Sequence, residues 1–448
     1  MKKSLLIIAI AVLSLGTKAQ VTPSPFWTNQ NSNFSITSAG IRYMHVVNPN
    51  VVWAVGYNGT VATANFNEFT RTINGGANYV SGPIYSSTVT YFPASIEALN
   101  ADTAWVTAYL TAGNMGAIHQ TTNGGVTWTN MTPVGMYTNS ASFANITTFF
   151  TPLVGITMGD PVGGDFEIHR TTNGGMTWTK VPGANIPAPL GGEYGLTDVY
   201  TRFGANDVWF GTNLGRVYHS NDQGQTWTVG SIGATPYVND IAFRDAMNGI
   251  VMTNSNTAYT TSNGGSTWTQ IPSIDPNMGL NSICAIPGTS WYASCGAGTG
   301  NNVISYSTDD GATWNSWGGM NVQYLHIEFV DNTTGYAGGF SDFTTVGLDG
   351  MFKYNGAVLG INSNSTPLAN NDVYPNPSSG LVTINLAPSK HGAIITVIDA
   401  MGKTVYTENV KNGSFEKYSL NLEGFAKGIY SVNISRPTGV ETKKIIIQ

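Results

Sequence analysis

Short apolar runs, each introduced by a polar turn, recur along most of the chain. Seven stand out: NPNVVWAVG (Asn48–Gly56), NADTAWVTA (Asn100–Ala108), TPLVGITMG (Thr151–Gly159), GANDVWFG (Gly204–Gly211), DAMNGIVMT (Asp245–Thr253), PGTSWYAS (Pro287–Ser294) and DNTTGYAGG (Asp331–Gly339). Runs this short, bounded by turn residues, predict β-strands. A second pattern, ending in Trp, follows five of them: TTNGGVTW (Thr121–Trp128), TTNGGMTW (Thr171–Trp178), SNDQGQTW (Ser220–Trp227), TSNGGSTW (Thr261–Trp268) and STDDGATW (Ser307–Trp314). Their tryptophans are spaced by 50, 49, 41 and 46 residues. That period suits a blade of four short strands.

Each Trp segment has a local physical logic. The third residue (Asn123, Asn173, Asp222, Asn263, Asp309) can close an Asx-turn onto backbone amides ahead of it. The fifth (Gly125, Gly175, Gly224, Gly265, Gly311) supplies a positive φ at no steric cost. The indoles of Trp128, Trp178, Trp227, Trp268 and Trp314 are large enough to anchor the seam between neighbouring units. Two further turns look decayed, TINGGANY (Thr72–Tyr79) and LDGMFKYNG (Leu348–Gly356), which brings the turns to seven. The fold class expected is therefore all-β, a seven-bladed β-propeller over residues 20–361. Such a ring must close, because an open one leaves unpaired strand edges. PFWTNQ (Pro25–Gln30) reads as the strand missing from the seventh unit, pairing there as a latch.

The ends of the chain differ from the repeats. Lys2 and Lys3 precede an apolar run, Leu5–Leu15, and Thr17 and Ala19 offer small residues before Gln20. This reads as a signal peptide over residues 1–19, too short for a membrane span of roughly 20 residues. No later segment reaches that length, so no transmembrane segment is expected after signal removal. Beyond the repeats, the polar stretch Asn362–Asn371 reads as a linker. Residues 372–448 then hold six strand-like runs: Leu381–Leu386, Ala393–Asp399, Lys403–Val410, Lys417–Leu422, Gly428–Ser435 and Thr442–Gln448. They predict a small β-sandwich.

Composition agrees with a turn-rich β protein: 53 Gly, 11 Trp and 21 Tyr, with 10% charged residues against roughly 25% in ordinary globular chains. Charge narrows the partners. Residues 20–370 carry eight Lys and Arg against 19 Asp and Glu, a balance of −11, whereas residues 371–448 carry eight against six. An anionic main domain repels nucleic acid and anionic polysaccharide at long range, leaving neutral glycans, proteins or cations. Cys284 and Cys295 lie in one stretch, NSICAIPGTSWYASC. If it folds as a hairpin turning at Pro287-Gly288, they are a disulfide candidate, with two buried thiols as the alternative.

SNDQGQTW and STDDGATW resemble the Asp-box pattern S-x-D-x-G-x-x-W shared by sialidases, sortilin-type receptors and the photosystem II assembly-factor propellers. The other three segments replace Ser by Thr and Asp by Asn. In those families the boxes lie on outer turns away from the ligand face, so the resemblance implies a structural role for them here. Sialidase chemistry would imply an arginine triad and a tyrosine nucleophile. The main domain has only Arg42, Arg71, Arg170, Arg202, Arg216 and Arg244, with no Arg-Ile-Pro motif. Related xyloglucan-cleaving enzymes use two facing propellers, and this chain has room for one. The tail resembles the C-terminal sorting domain of type IX secretion cargo through VYPNPSSG (Val373–Gly380), VIDAMGK (Val397–Lys403), GIYSV (Gly428–Val432) and the basic-apolar strand Lys443–Ile447. That implies handling by the type IX machinery, export through the periplasm, and release or retention at the outer cell surface.

Ligands of a propeller meet residues at the start of the innermost strands. Asp198 in TDVY, Asp240 in NDIAF, Ser282 in NSICA and His326 in LHIEF each precede an apolar-x-apolar strand, with Glu97 and His45 near the matching place in the first two units. They are expected either to form a polar ring for a ligand or to cap the strands and bind channel water. The third unit inserts MGDPVGGDFEIHR (Met158–Arg170), in which Asp160 and Asp165, beside Glu167, His169 and Arg170, offer oxygen ligands for Ca²⁺ or a carboxylate pair for glycoside cleavage. A plain long hairpin is the alternative. No zinc signature, phosphate loop or nucleophile elbow occurs, so no cofactor is expected, with Ca²⁺ as the one alternative. The leading expectation is an exported, non-catalytic glycan- or protein-binding protein. The alternatives are a glycosidase-like hydrolase or lyase using Asp160, Asp198 or Asp240, and an assembly factor for an exported complex.

Overall fold

A computed structural model describes residues 26–59, 66–85, 91–110, 115–233, 236–297, 302–317, 323–340, 350–356, 359, 373–384, 393–399, 403–410, 417–436 and 439–448. The expected signal peptide and the 362–371 linker lie outside the described residues. The chain divides into two compact units, Met1–Gly360 and Ile361–Gln448.

The described residues of the first unit are strands and turns, with one 3-10 turn at Gly183–Asn185. Its described residues form seven four-stranded antiparallel sheets, six of them continuous in sequence. Their innermost strands are Ala39–Asn48, Tyr91–Ala98, Ala144–Phe149, Gly195–Phe203, Val238–Phe243, Ser282–Ala285 and Tyr324–Phe329, here defining blades one to seven. Each innermost strand touches those of the blades before and after it, and Tyr324–Phe329 returns to Ala39–Asn48. The sheets thus close into a ring, a β-propeller. All seven apolar runs recognised in the sequence supply second strands. They are buried almost without interruption (Val51–Gly56, Gly249–Thr253, Gly335–Gly339) because blades cover both their faces, which favours continuous apolar sequence over alternation. The outermost strands, such as Thr129–Asn130 and Thr179–Lys180, are short and exposed.

Packing lies between blades. At one seam Val208, Phe210, Tyr218 and Trp227 of blade four meet Ile156, Met158, Phe166 and Ile168 of blade three. At another, Ala242, Ile250 and Met252 of blade five meet Ile283, Tyr292 and Trp314 of blade six.

The Trp segments are the turns before the outermost strands, and they share one hydrogen-bond plan. In blade six the Gly311 amide donates to Ser307 Oγ at 2.9 Å, the Thr313 amide donates to Asp309 Oδ1 at 2.9 Å, and Trp314 Nε1 donates to the Gly311 carbonyl at 3.1 Å. With Thr and Asn the two amide bonds recur in blade two, from Gly125 N to Thr121 Oγ1 and Thr127 N to Asn123 Oδ1, without the indole bond. TINGGANY, expected to be decayed, keeps the plan: Gly76 N donates to Thr72 Oγ1 and Asn78 N to Asn74 Oδ1. Its Trp is replaced by Tyr79 and the Thr before it by Asn78. The fourth position also has positive φ, 73° at Gly124 but 62° at Gln223 and 56° at Asp310. Those two side chains tie blades together: Asp310 pairs with Arg244 Nε at 2.8 Å and Gln223 accepts from Arg170.

Two expectations need correction. LDGMFKYNG is not a turn of this kind: Gly350–Tyr354 is the third strand of blade seven, because that blade takes its outermost strand from the other end of the chain. Nor are the cysteines bonded. The hairpin forms as expected, but Cys284 lies opposite Ala293 and Cys295 opposite Ser282, and both are free thiols. Such diagonal neighbours stand about 7–8 Å apart, outside the usual disulfide span of about 7 Å.

The latch is present. Trp27–Asn31 pairs antiparallel with Gly350–Tyr354, Trp27 opposite Tyr354. The Trp27 ring meets Trp317, Phe329 and Tyr354 edge-on at 6.0, 6.1 and 5.5 Å.

In the second unit all six expected strands form. Val373–Tyr374, Leu381–Ile384 and Tyr418–Asn421 make one sheet, and Thr404–Val410, Ala393–Asp399, Gly428–Arg436 and Gly439–Ile447 make the other. Val382, Ile384 and Leu420 share a core with Ile395, Val397, Val432, Ile434 and Ile445, the packing of a β-sandwich.

Replacing Trp27 by Ala should lower propeller stability by about 3–5 kcal/mol, the usual loss for a buried Trp. Urea unfolding followed by Trp fluorescence measures it, and an unchanged midpoint would mean that the ring holds without its latch.

Candidate functional site

The innermost strands face the ring axis, and period two sends alternate side chains toward it. Bulges before Tyr43, Ser95, Asp240 and His326 bring the blades into similar register. Asp198 stands in an irregular stretch with a φ of 59°.

Two layers of polar side chains cross the channel. In the layer nearer the strand starts, the Tyr43 hydroxyl of blade one meets Thr197 Oγ1 of blade four at 2.6 Å. Asp198 Oδ2 lies 3.7 Å from His326 Nδ1 of blade seven. Asp240 accepts the amides of Ile241 and Ile283, each at 2.8 Å, and Ser282 Oγ accepts the Ile327 amide at 3.3 Å. One turn of the pleat deeper, Glu97 of blade two is the hub. It accepts Arg202 Nη2 at 3.1 Å and the Tyr200 hydroxyl at 3.0 Å from blade four, and Thr148 Oγ1 at 3.2 Å from blade three. His45 Nδ1 lies between Glu97 at 3.7 Å and Glu328 at 3.8 Å. Glu328 in turn accepts the Val46 amide at 2.9 Å.

The sequence candidates Asp198, Asp240, Ser282, His326, Glu97 and His45 thus gather around one channel. Arg202, Tyr200, Glu328, Tyr43 and Thr197 were missed. A signal existed for some of them, since Glu328 stands two residues after His326 and Tyr200 two after Asp198, the spacing of one strand face. Asp160 lies elsewhere. It is buried in blade three, where its Oδ1 accepts Asn145 Nδ2 at 2.9 Å and the Gly195 amide at 3.2 Å. Asp165 sits beside Gly183, and Glu167 accepts the Tyr137 amide and the Ser142 hydroxyl. Among the described residues no group of three or more His, Cys, Asp or Glu is arranged to hold a metal ion.

The channel shifts its titratable groups. Burial, reinforced by Asp240, Glu328 and Glu97, holds the Asp198 carboxyl well above the usual range. Burial pushes Asp240 up to about 7 against the opposing pull of the Ile283 and Ile241 amides. Burial, helped by His45, lowers His326 to about 4. Burial thus works against charge on both carboxyls and on the imidazole of the upper layer, whereas Glu97 in the lower layer meets the Arg202 guanidinium.

Residues 372–448 match the family model for the secretion system C-terminal sorting domain, Por_Secre_tail. A search of curated proteins finds no sequence match. Among solved structures, the propeller is similar to "YCF48 bound to D1 peptide", with a TM-score of 0.54 and 15% identity, covering 76% of this chain and 100% of that one. It is also similar to YCF48 from Cyanidioschyzon merolae, with a TM-score of 0.51 and 15% identity over 74% of this chain and 98% of that one. At such identity the likeness shows the fold alone. The class is a β-propeller with a C-terminal sorting domain; the tail marks the chain for type IX secretion, which implies export to the outer surface or the medium.

Because Asp240 holds its proton more tightly folded than unfolded, its contribution to stability is full below the ordinary Asp value near 4 and is lost as pH rises through about 7. His326, lowered, acts oppositely but only below its unfolded value near 6.5. Thermal midpoints should therefore fall by a few °C, on the order expected for about 1 kcal/mol, between pH 6.5 and pH 8. Asp240→Asn should flatten that slope, and an equally steep slope in the variant would reject Asp240 as its source.

Proposed function

We propose that this chain is a non-catalytic binding protein, delivered by the type IX route to the cell surface or the medium, whose propeller takes a glycan or protein ligand. The observation that supports this reading best is the engagement of the channel carboxylates with one another's blades. Glu97 is held by Arg202, Tyr200 and Thr148, and Asp198 faces His326. Such a core fixes seven blades in place and leaves recognition to the faces of the ring, where repeat scaffolds carry function. The shared plan of the Trp turns supports reading them as Asp boxes with a structural role. The similar fold solved with a D1 peptide bound favours the protein-ligand version of the proposal.

A glycan-active hydrolase is the second reading, kept because Asp240, raised to about 7, has the proton affinity useful in a general acid. A glycan array followed by incubation with each hit separates the two. We expect binding without product; new reducing ends or unsaturated sugars would replace the binder with an enzyme. Deleting residues 372–448 should abolish appearance outside the cell and leave a folded propeller inside it, read by cell fractionation and thermal unfolding. Undiminished export of the truncated chain would reject the sorting role of the tail.

A further inference from the structure

Arg42 stands apart from the other arginines of the propeller. Arg202 meets Glu97, Arg216 meets Glu193, Arg244 meets Asp310, Arg71 lies near Asp102, and Arg170 donates to Gln223. The Arg42 guanidinium instead lies over two aromatic rings, 5.2 Å from the centroid of Tyr43 and 5.9 Å from that of Tyr57. No carboxylate among the described residues comes within ion-pair distance of it. Asp198 feels its charge but is turned to His326. Arg42 occupies the bulge just before Tyr43 on the innermost strand of blade one, only partly exposed. Burial opposes the charge of this cation, which has no carboxylate beside it among the described residues.

Position in the fold says which way the group is presented. Arg42 lies where the innermost strands begin, the channel end at which Tyr57 and Tyr109 finish their second strands and Tyr194 and Tyr237 lead into blades four and five. The Tyr194 and Tyr237 hydroxyls meet at 2.7 Å, and Tyr57 packs edge-on against Phe340 at 5.3 Å. This end therefore combines a forked cation, flat aromatic faces and several hydroxyls.

We propose that Arg42, with Tyr43 and Tyr57, forms a subsite for a single uronic-acid residue within an otherwise neutral glycan. The inference rests on the glycan version of the binding-protein reading above and names the sugar. The guanidinium fork matches a carboxylate in two parallel hydrogen bonds. The Tyr57 ring, only partly buried, would meet the C–H face of a pyranose, while the Tyr43 hydroxyl, bonded to Thr197, holds the floor of the subsite in place. The balance of −11 over residues 20–370 works against a polyanionic chain and tolerates one charge.

The test uses the full mature chain with three probes, glucuronic acid, glucose and acetate, followed by titration calorimetry at low salt. Glucuronic acid should bind at least about tenfold more tightly than glucose, as a charge-assisted contact provides, and more tightly than acetate. Arg42→Gln should bring glucuronic acid down to the level of glucose, and Arg42→Lys should keep part of the preference. Equal binding of the two sugars, or a preference that survives Arg42→Gln, overturns the subsite; so does equal competition by acetate or a short acidic peptide. If Arg42→Gln does not fold, judged by its thermal transition, Arg42→Lys decides, and a preference unchanged by it is the overturning result. Neutral-glycan binding on the array without a glucuronate preference removes the subsite and leaves the binding function standing. Failure to bind any saccharide removes the glycan reading as well.

Discussion

The ring depends on one pairing, that of Trp27–Asn31 with Gly350–Tyr354. Every other blade is continuous in sequence and could form from a local run of chain. Blade seven could not, since its fourth strand comes from the opposite end of the propeller. The apolar seam beneath it, with Trp27 against Trp317, Phe329 and Tyr354, gives that pairing its strength. Without it two sheet edges and a cluster of large aromatics would face water. The contact also extends into blade one, where Gln30 meets Gly75 and Tyr79 and Lys353 donates to the Gly75 carbonyl.

The turns before the outermost strands distribute the same constraint around the rim. Their hydroxyl, carboxamide or carboxylate caps satisfy backbone amides that a tight turn would otherwise leave unpaired. Two successive residues adopt positive φ, which explains the frequent Gly-Gly doublet. Where Gln223 and Asp310 occupy the strained position instead, each side chain is held by an arginine from the preceding blade. A local backbone cost and a tie between blades therefore fall at the same residue.

Much of this was legible in the sequence, because strands, caps and turns are encoded locally. The seven second strands, the Trp turns, the N-terminal latch and the strands of the tail all follow from short windows of residues. What was not legible depends on partners far apart in the chain. Glu97 could be placed on an innermost strand, but nothing local says that Arg202 and Tyr200 would reach it across the ring. Tyr43 and Thr197 meet over a similar separation. The cysteines failed for a narrower reason: the hairpin was legible, but its register, which decides whether Cys284 faces Cys295 or Ala293, is set by how the whole blade packs. Leu348–Gly356 was misjudged because a turn and a strand are hard to separate where the partner strand is not adjacent in sequence.

Closure by the two ends also governs the order of events during synthesis. Trp27–Asn31 is made at the start of the propeller and its partner strand at the end, with nearly the entire ring between them. Joining ends so far apart adds little to the chain entropy already lost, since closure entropy rises only slowly with loop length. The penalty is one of time, because an unpaired strand and its exposed indole must wait through the synthesis of all seven blades. For that interval the newborn chain presents a sticky edge, so whatever keeps it from pairing with a neighbour, a holding chaperone or swift transit, is as necessary to this fold as its core.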